Sequence, residues 1–173
     1  MGLISSLLAK FSRADKPKPV AGSIYDFKIE DVGGHEVDFN MFRGKNLLIV
    51  NTASRCGYTP QYADLQKLHE QYGGSLVVLG FPSNDFLWQE PGTNADIASF
   101  CQKNYGVTFT IMSKISVKGN KKHPIYQWLA AKTGSTPGWN FCKYLVRKQG
   151  DEVKFFSQDV KPLDPILLNE IRQ

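Results

Sequence analysis

The sequence predicts an α/β domain in which a mixed β-sheet lies between layers of helices. Two unbroken apolar runs, NLLIVN (46–51) and SLVVLGF (75–81), have strand length and the composition of strands buried on both faces. A helical pattern separates them, which makes a strand–helix–strand unit with parallel strands and a right-handed crossover. Near the C-terminus, FCKYLVRK (141–148) and VKFFS (153–157) flank Gly150-Asp151 and read as an antiparallel pair.

In chain order, MGLISSLLAKF (1–11) sets Leu3, Ile4, Leu7, Leu8 and Phe11 at helical spacing. No basic segment precedes this run, Ser5 and Ser6 interrupt it, and no cleavage site follows, so a secretory signal is not expected. The run is too short to span a bilayer. Gly2 and Ser6 fit the myristoylation pattern. The expectation is a short amphipathic helix that packs on the body, a partner or a membrane surface, without stable insertion. DKPKPV (15–20) then links this segment (1–20) to a single domain over 21–173.

The domain opens with a hairpin, Phe27 to Ile29 and Val37 to Phe39 around Gly33-Gly34. Between the apolar runs, Thr59 suits an N-cap and Pro60 the first helical position. Tyr62, Leu65, Leu68, His69 and Tyr72 line one face, and Gly73-Gly74 ends that helix. Thr93 with Asp96 forms a capping box for a helix carrying Ile97, Phe100, Cys101, Asn104 and Tyr105 on one face. A strand is expected over 110–116, then a helix begun by Pro124 with Ile125, Trp128 and Leu129 inward. Asp164-Pro165 starts a last helix bearing Ile166, Leu167 and Ile171. Parallel βαβ first, antiparallel hairpin last and helices on both faces describe a thioredoxin-like sandwich with an added N-terminal β-hairpin.

The chain of 173 residues is long enough for one real core and short for two. Its net charge of +5 is spread over scattered lysines without interleaved aromatics, which argues against nucleic-acid binding. Three cysteines far apart, with no CxxC pair, exclude a disulfide framework and a zinc site, and the three histidines are equally scattered. No metal or cofactor is expected. Reduced thiols point to the cytoplasm.

Cys56 lies in the loop leaving the first buried parallel strand, at the strand end where ligands of open α/β sheets gather. Amides of a following helix would favour a thiolate there, Arg55 would add to this, and Gly57 would let backbone approach whatever the sulfur attacks. Position alone leaves open a buried structural cysteine and a reactive thiol. FPSNDFLWQEPGTN (81–94) and GWNFCKYL (138–145) would bring Gln89, Trp139 and Asn140 to the same end. An amide, an indole N–H and a second amide are neutral donors that hold a thiolate without supplying a competing acid. Each alone also fits a turn residue, a core aromatic or a strand cap.

Together NTASRCGYTPQY (51–62), FPSNDFLWQEP (81–91) and WNFCKYL (139–145) resemble the three signature blocks of the glutathione peroxidase family, and ASFCQKNYGVTF (98–109) extends the likeness. The resemblance implies reduction of hydroperoxides, with a catalytic tetrad of Cys56, Gln89, Trp139 and Asn140. It places sulfur where some animal members carry selenocysteine. Backbone N–H groups at Gly57 and Tyr58 would contact the peroxide. Cys101 is similar to the resolving cysteine of members that use thioredoxin rather than glutathione. A packed helical cysteine does not reach disulfide distance unaided, so the helix around Cys101 is expected to unwind locally. Cys142 is the rival, sharing a strand face with Asn140.

The sequence departs from the pattern where Ser83 replaces a common cysteine, Trp88 a common glycine and Ile111 a common proline. The short segment from Trp128 to Trp139 lacks the subunit-contact insertion of tetrameric members, which implies a monomer with an open site for lipid hydroperoxides. A thiol–disulfide oxidoreductase would need CxxC, and a copper chaperone CxxxC with a histidine; neither is present. A peroxide sensor that relays oxidation to a partner protein shares the chemistry and remains the alternative.

Overall fold

The computed structural model describes residues 22–173; the expected N-terminal amphipathic helix and linker lie outside them. A 3₁₀ turn over Ile24–Asp26 leads into the hairpin β1 (Lys28–Glu30) and β2 (Glu36–Asp38). A second 3₁₀ turn follows, then β3 (Asn46–Thr52), α1 (Gln61–Tyr72), β4 (Leu76–Pro82), α2 (Asn94–Tyr105) and β5 (Thr110–Ile111). The chain closes with α3 (Pro124–Thr133), β6 (Lys143–Val146), β7 (Val153–Phe156) and α4 (Pro165–Ile171).

The main sheet has the order β5-β4-β3-β6-β7. β3, β4 and β5 run parallel, while β6 and β7 each run antiparallel to their predecessor in the sheet. Every residue of central β3 is buried, and alternation sends its side chains to two cores. Leu47 and Ile49 pack with Trp128, Tyr126 and Leu129 of α3 and with Ile24 and Phe39 of the 3₁₀ turns. Leu48 and Val50 pack with Tyr62, Leu65 and Leu68 of α1, Ile97 of α2, and Leu167 and Ile171 of α4. A run covered on both faces is apolar on both, which is why residues 47–50 read as continuous apolar sequence, and the asparagines at either end, Asn46 and Asn51, are buried with their amides bonded to backbone carbonyls.

The thioredoxin-like sandwich is therefore present, with the predicted capping box of Thr93 and Asp96 opening α2. Three local expectations differ. The 110–116 strand pairs only at Thr110 and Ile111; beyond them the Met112 and Ile115 amides still bond to Gly80 and Pro82. Ser113 instead bonds to Glu30 of the N-terminal hairpin, so the chain leaves the ladder to hold β1 against the sheet edge. Ile166 is exposed although Leu167 and Ile171 are buried, because a seven-residue helix presents one narrow stripe. Asn104 points out of α2 and bonds back to the Phe100 carbonyl.

Candidate active site

Strand order builds the site. The C-terminal ends of parallel β3 and β4 and the N-terminal end of antiparallel β6 lie at one edge of the sheet. The loops carrying Cys56, Gln89 and Trp139-Asn140 therefore emerge side by side.

Cys56 sits in a tight turn between β3 and α1 and is 9% exposed. Its N–H donates to Thr59 Oγ1 at 3.0 Å, and the Thr59 hydroxyl donates to the Ala53 carbonyl at 2.8 Å. The Thr59 N–H closes the turn on the Cys56 carbonyl. The expected N-cap is thus not formed. Thr59 spends its oxygen on the Cys56 loop, and α1 begins at Gln61 with no side-chain cap. Because a turn separates Cys56 from α1, the donor at the sulfur is local: the Tyr58 N–H points at Cys56 Sγ at 3.4 Å. Gly57 is exposed, its backbone is not left-handed, and a Cβ built there meets nothing within 4 Å. Neither backbone nor packing requires a glycine at this position; it leaves open space beside the turn that carries the sulfur.

Gln89 is fastened to this turn on both sides. Its carbonyl accepts the Arg55 N–H at 3.0 Å, and its side-chain oxygen accepts Asn140 Nδ2 at 2.9 Å. Asn140 is fully buried, and its own oxygen has no partner. Asn51, at the end of β3, donates through its side chain to the Trp139 carbonyl at 2.8 Å and accepts the Phe141 N–H at its backbone oxygen. The Trp139 ring is half-buried and packs on Phe86 of the Gln89 loop, centroids 5.7 Å apart. Gln89, Trp139 and Asn140 therefore form one bonded and packed unit against the Cys56 loop.

Trp139 and Asn140 lie in the turn before β6 rather than at its start. Phe141 is left-handed (φ 66°) and β6 begins only at Lys143, so the strand alternation that would set Cys142 on the face of Asn140 does not extend over these residues. Cys142 is buried, with its thiol 3.5 Å from Gln158 Oε1. Cys101 is buried in the third turn of α2, in the same core as Cys56, and burial pushes its thiol up to about 11. The nearby Glu90 carboxylate adds to that rise, and the Tyr62 hydroxyl opposes it. All three cysteines are free. Among the described residues no cluster of His, Cys, Asp and Glu is placed to hold a metal ion.

Several supporting residues escape sequence reasoning. Lys143 is fully buried and donates to Gln61 Oε1 at 2.6 Å and to the Val160 carbonyl at 2.5 Å. Burial holds its amine down at about 8. Tyr58 donates to Asp159 at 2.7 Å and Gln61 to the Gln158 carbonyl at 2.8 Å, so segment 157–161 buttresses the Cys56 turn. Glu90 is also buried; it accepts the Ser54 hydroxyl at 3.0 Å, and burial raises its carboxyl. The available signals were a lysine inside an apolar strand and a lone Asn closing one.

A family model for glutathione peroxidase matches residues 24–130, which span the Cys56 and Gln89 loops. The chain belongs to the glutathione peroxidase family. Its curated relatives include a glutathione peroxidase-like peroxiredoxin of Schizosaccharomyces pombe, 44% identical over 143 residues, covering 80% of this chain and 90% of the relative. A hydroperoxy fatty acid reductase of Synechocystis is 43% identical over 154 residues, covering 81% and 89%. The crystal structure of T. cruzi GPX1 is similar at 33% identity with a TM-score of 0.64, covering 86% of this chain and 93% of that one.

Proposed function

We propose that this peroxidase-family protein reduces hydrogen peroxide and organic or lipid hydroperoxides through Cys56. The observation that carries the reading is the Cys56 turn itself, where the Tyr58 N–H faces the sulfur and the neighbouring Gly57 is exposed with open space where a Cβ would stand. The bonded pair of Gln89 and Asn140 and the Trp139 indole complete a site of neutral donors.

The Cys56 thiolate attacks the terminal peroxide oxygen. The O–O bond breaks, sulfur loses two electrons to become a sulfenic acid, and the departing oxide takes a proton to leave as water or an alcohol. The Gly57 and Tyr58 amides, with the Gln89, Trp139 and Asn140 side chains, stabilise the charge that moves from sulfur to oxygen. Cys101 then attacks the sulfenic sulfur, a disulfide forms, and water departs. A thioredoxin-type dithiol reduces that disulfide. Cys101 is protonated and packed in the reduced state, so α2 opens before this step. The same reading has the protein act as a monomer in the cytoplasm; no helix among the described residues is long and apolar enough to cross a membrane.

The test is peroxide consumption driven by thioredoxin or by glutathione in the parent and in each Cys→Ser variant. Turnover with thioredoxin that is lost in Cys56→Ser and Cys101→Ser, and kept in Cys142→Ser, supports the scheme. Turnover that survives Cys56→Ser overturns it. Unchanged hydrogen-exchange protection of residues 95–105 on oxidation would refute the opening of α2.

A further inference from the structure

The loop that delivers Gln89 also holds two large apolar side chains in water: Leu87 is 67% exposed and Trp88 76%. Both residues are left-handed, φ 51° and 52°, a conformation that costs energy for any residue with a Cβ and more for a bulky one. The fold enforces it from both ends. Asp85 accepts bonds from the Ser116 hydroxyl and from the Val117 and Lys118 amides, while the Gln89 carbonyl and Glu90 amide are tied to Arg55 and Asn84. The core gains nothing from the display. From this geometry we propose that the Leu87-Trp88 knuckle seats the mouth of the active site on an anionic lipid bilayer.

Charge and shape select that occupant. The carboxylates of the loop are turned inward, Asp85 onto the 116–118 segment and Glu90 onto Ser54. The cations near it are on exposed residues: Arg55, whose N–H bonds to the Gln89 carbonyl, Lys118, whose amine lies 4.5 Å from the Phe86 ring centroid, and Lys121, three residues further on. A convex pair of apolar residues in a basic rim inserts into a soft acidic surface, and tryptophan favours the boundary between headgroups and acyl chains. Gln89 follows Trp88 directly, so insertion brings the catalytic loop to the level of a peroxidised chain. This rests on the peroxidase reading and adds the physical state of its substrate.

The decisive variant is the full chain with Leu87→Asn and Trp88→Asn, since asparagine tolerates the left-handed backbone. Flotation with vesicles of phosphatidylcholine, alone or with phosphatidylglycerol, reads binding. Steady-state assays read hydrogen peroxide against vesicle-borne phospholipid hydroperoxide. The parent should bind the mixed vesicles, with Trp88 fluorescence quenched by brominated lipid. The double variant should bind about tenfold more weakly and show a similar rise in KM for the vesicle substrate, with hydrogen peroxide turnover unchanged. Equal vesicle binding by parent and variant overturns the proposal, as does a rise in KM confined to the reducing protein. Flotation reads the surface even in a protein without peroxidase turnover, so the two readings fail separately.

Discussion

Lys143 offers the sharpest quantitative test of how the site is held. The gap between its ordinary 10.5 and about 8 is worth roughly 3 kcal/mol against the charged amine. The unfolded chain keeps the proton up to about pH 10 while the folded protein releases it near 8. The unfolded state therefore binds more protons between those values, and stability rises with pH there. Between pH 7.5 and 9 the gain from this group is about 1 kcal/mol. Cys101 works in the opposite sense: folded at about 11 and unfolded near 9, it withdraws stability as pH climbs past 9. The useful window thus ends at pH 9. Lys143→Met removes the charge but strands the Gln61 oxygen and the Val160 carbonyl, each at roughly 1–3 kcal/mol. At neutral pH these effects nearly cancel, so the slope is the diagnostic. Urea denaturation under reducing conditions should show the parent gaining stability from pH 7.5 to 9 while Lys143→Met stays flat or falls slightly. Parallel pH dependences in the two proteins would refute the assignment of a suppressed charge behind the Cys56 turn.

Three further outcomes follow from the same geometry. Thr59→Val leaves the Cys56 N–H and the Ala53 carbonyl without partners, so stability should fall by roughly 2–4 kcal/mol in chemical denaturation, with activity lost in parallel. A loss of only about 1 kcal/mol would mean that Thr59 is worth no more than an ordinary helix cap. Gly57→Ala should leave stability within about 0.5 kcal/mol and lower kcat/KM for bulky hydroperoxides more than for hydrogen peroxide; an equal fall for both would contradict the role of open space. Cys101→Ser should retain a single stoichiometric burst of peroxide consumption and lose thioredoxin-driven turnover, measured by rapid mixing and NADPH-coupled assay respectively.

Much of the fold is legible because burial leaves a one-dimensional trace. The centre of β3 and most of β4 are apolar on both faces since both are covered, and the Thr93 and Asp96 pair, three residues apart, declares the start of α2. The cysteine loop and its two partner loops are legible as blocks of sequence, but their bonds are not. Whether Thr59 caps a helix or braces a turn depends on the Ala53 carbonyl six residues back, and Gln89 acquires its orientation from Asn140, 51 residues away. The positions where local rules fail outright are Leu87 and Trp88, bulky and left-handed in water, Phe141, left-handed beside a strand, and Lys143, a charge without a carboxylate partner. All four belong to or adjoin the loops that frame Cys56. A sequence optimised only for folding would have placed glycine, glycine, glycine and an apolar residue there. The strain and the buried charge lie where loops distant in sequence are bonded to one another around Cys56, and on the proposed mechanism that bonded frame would leave the movement required of Cys101 to α2.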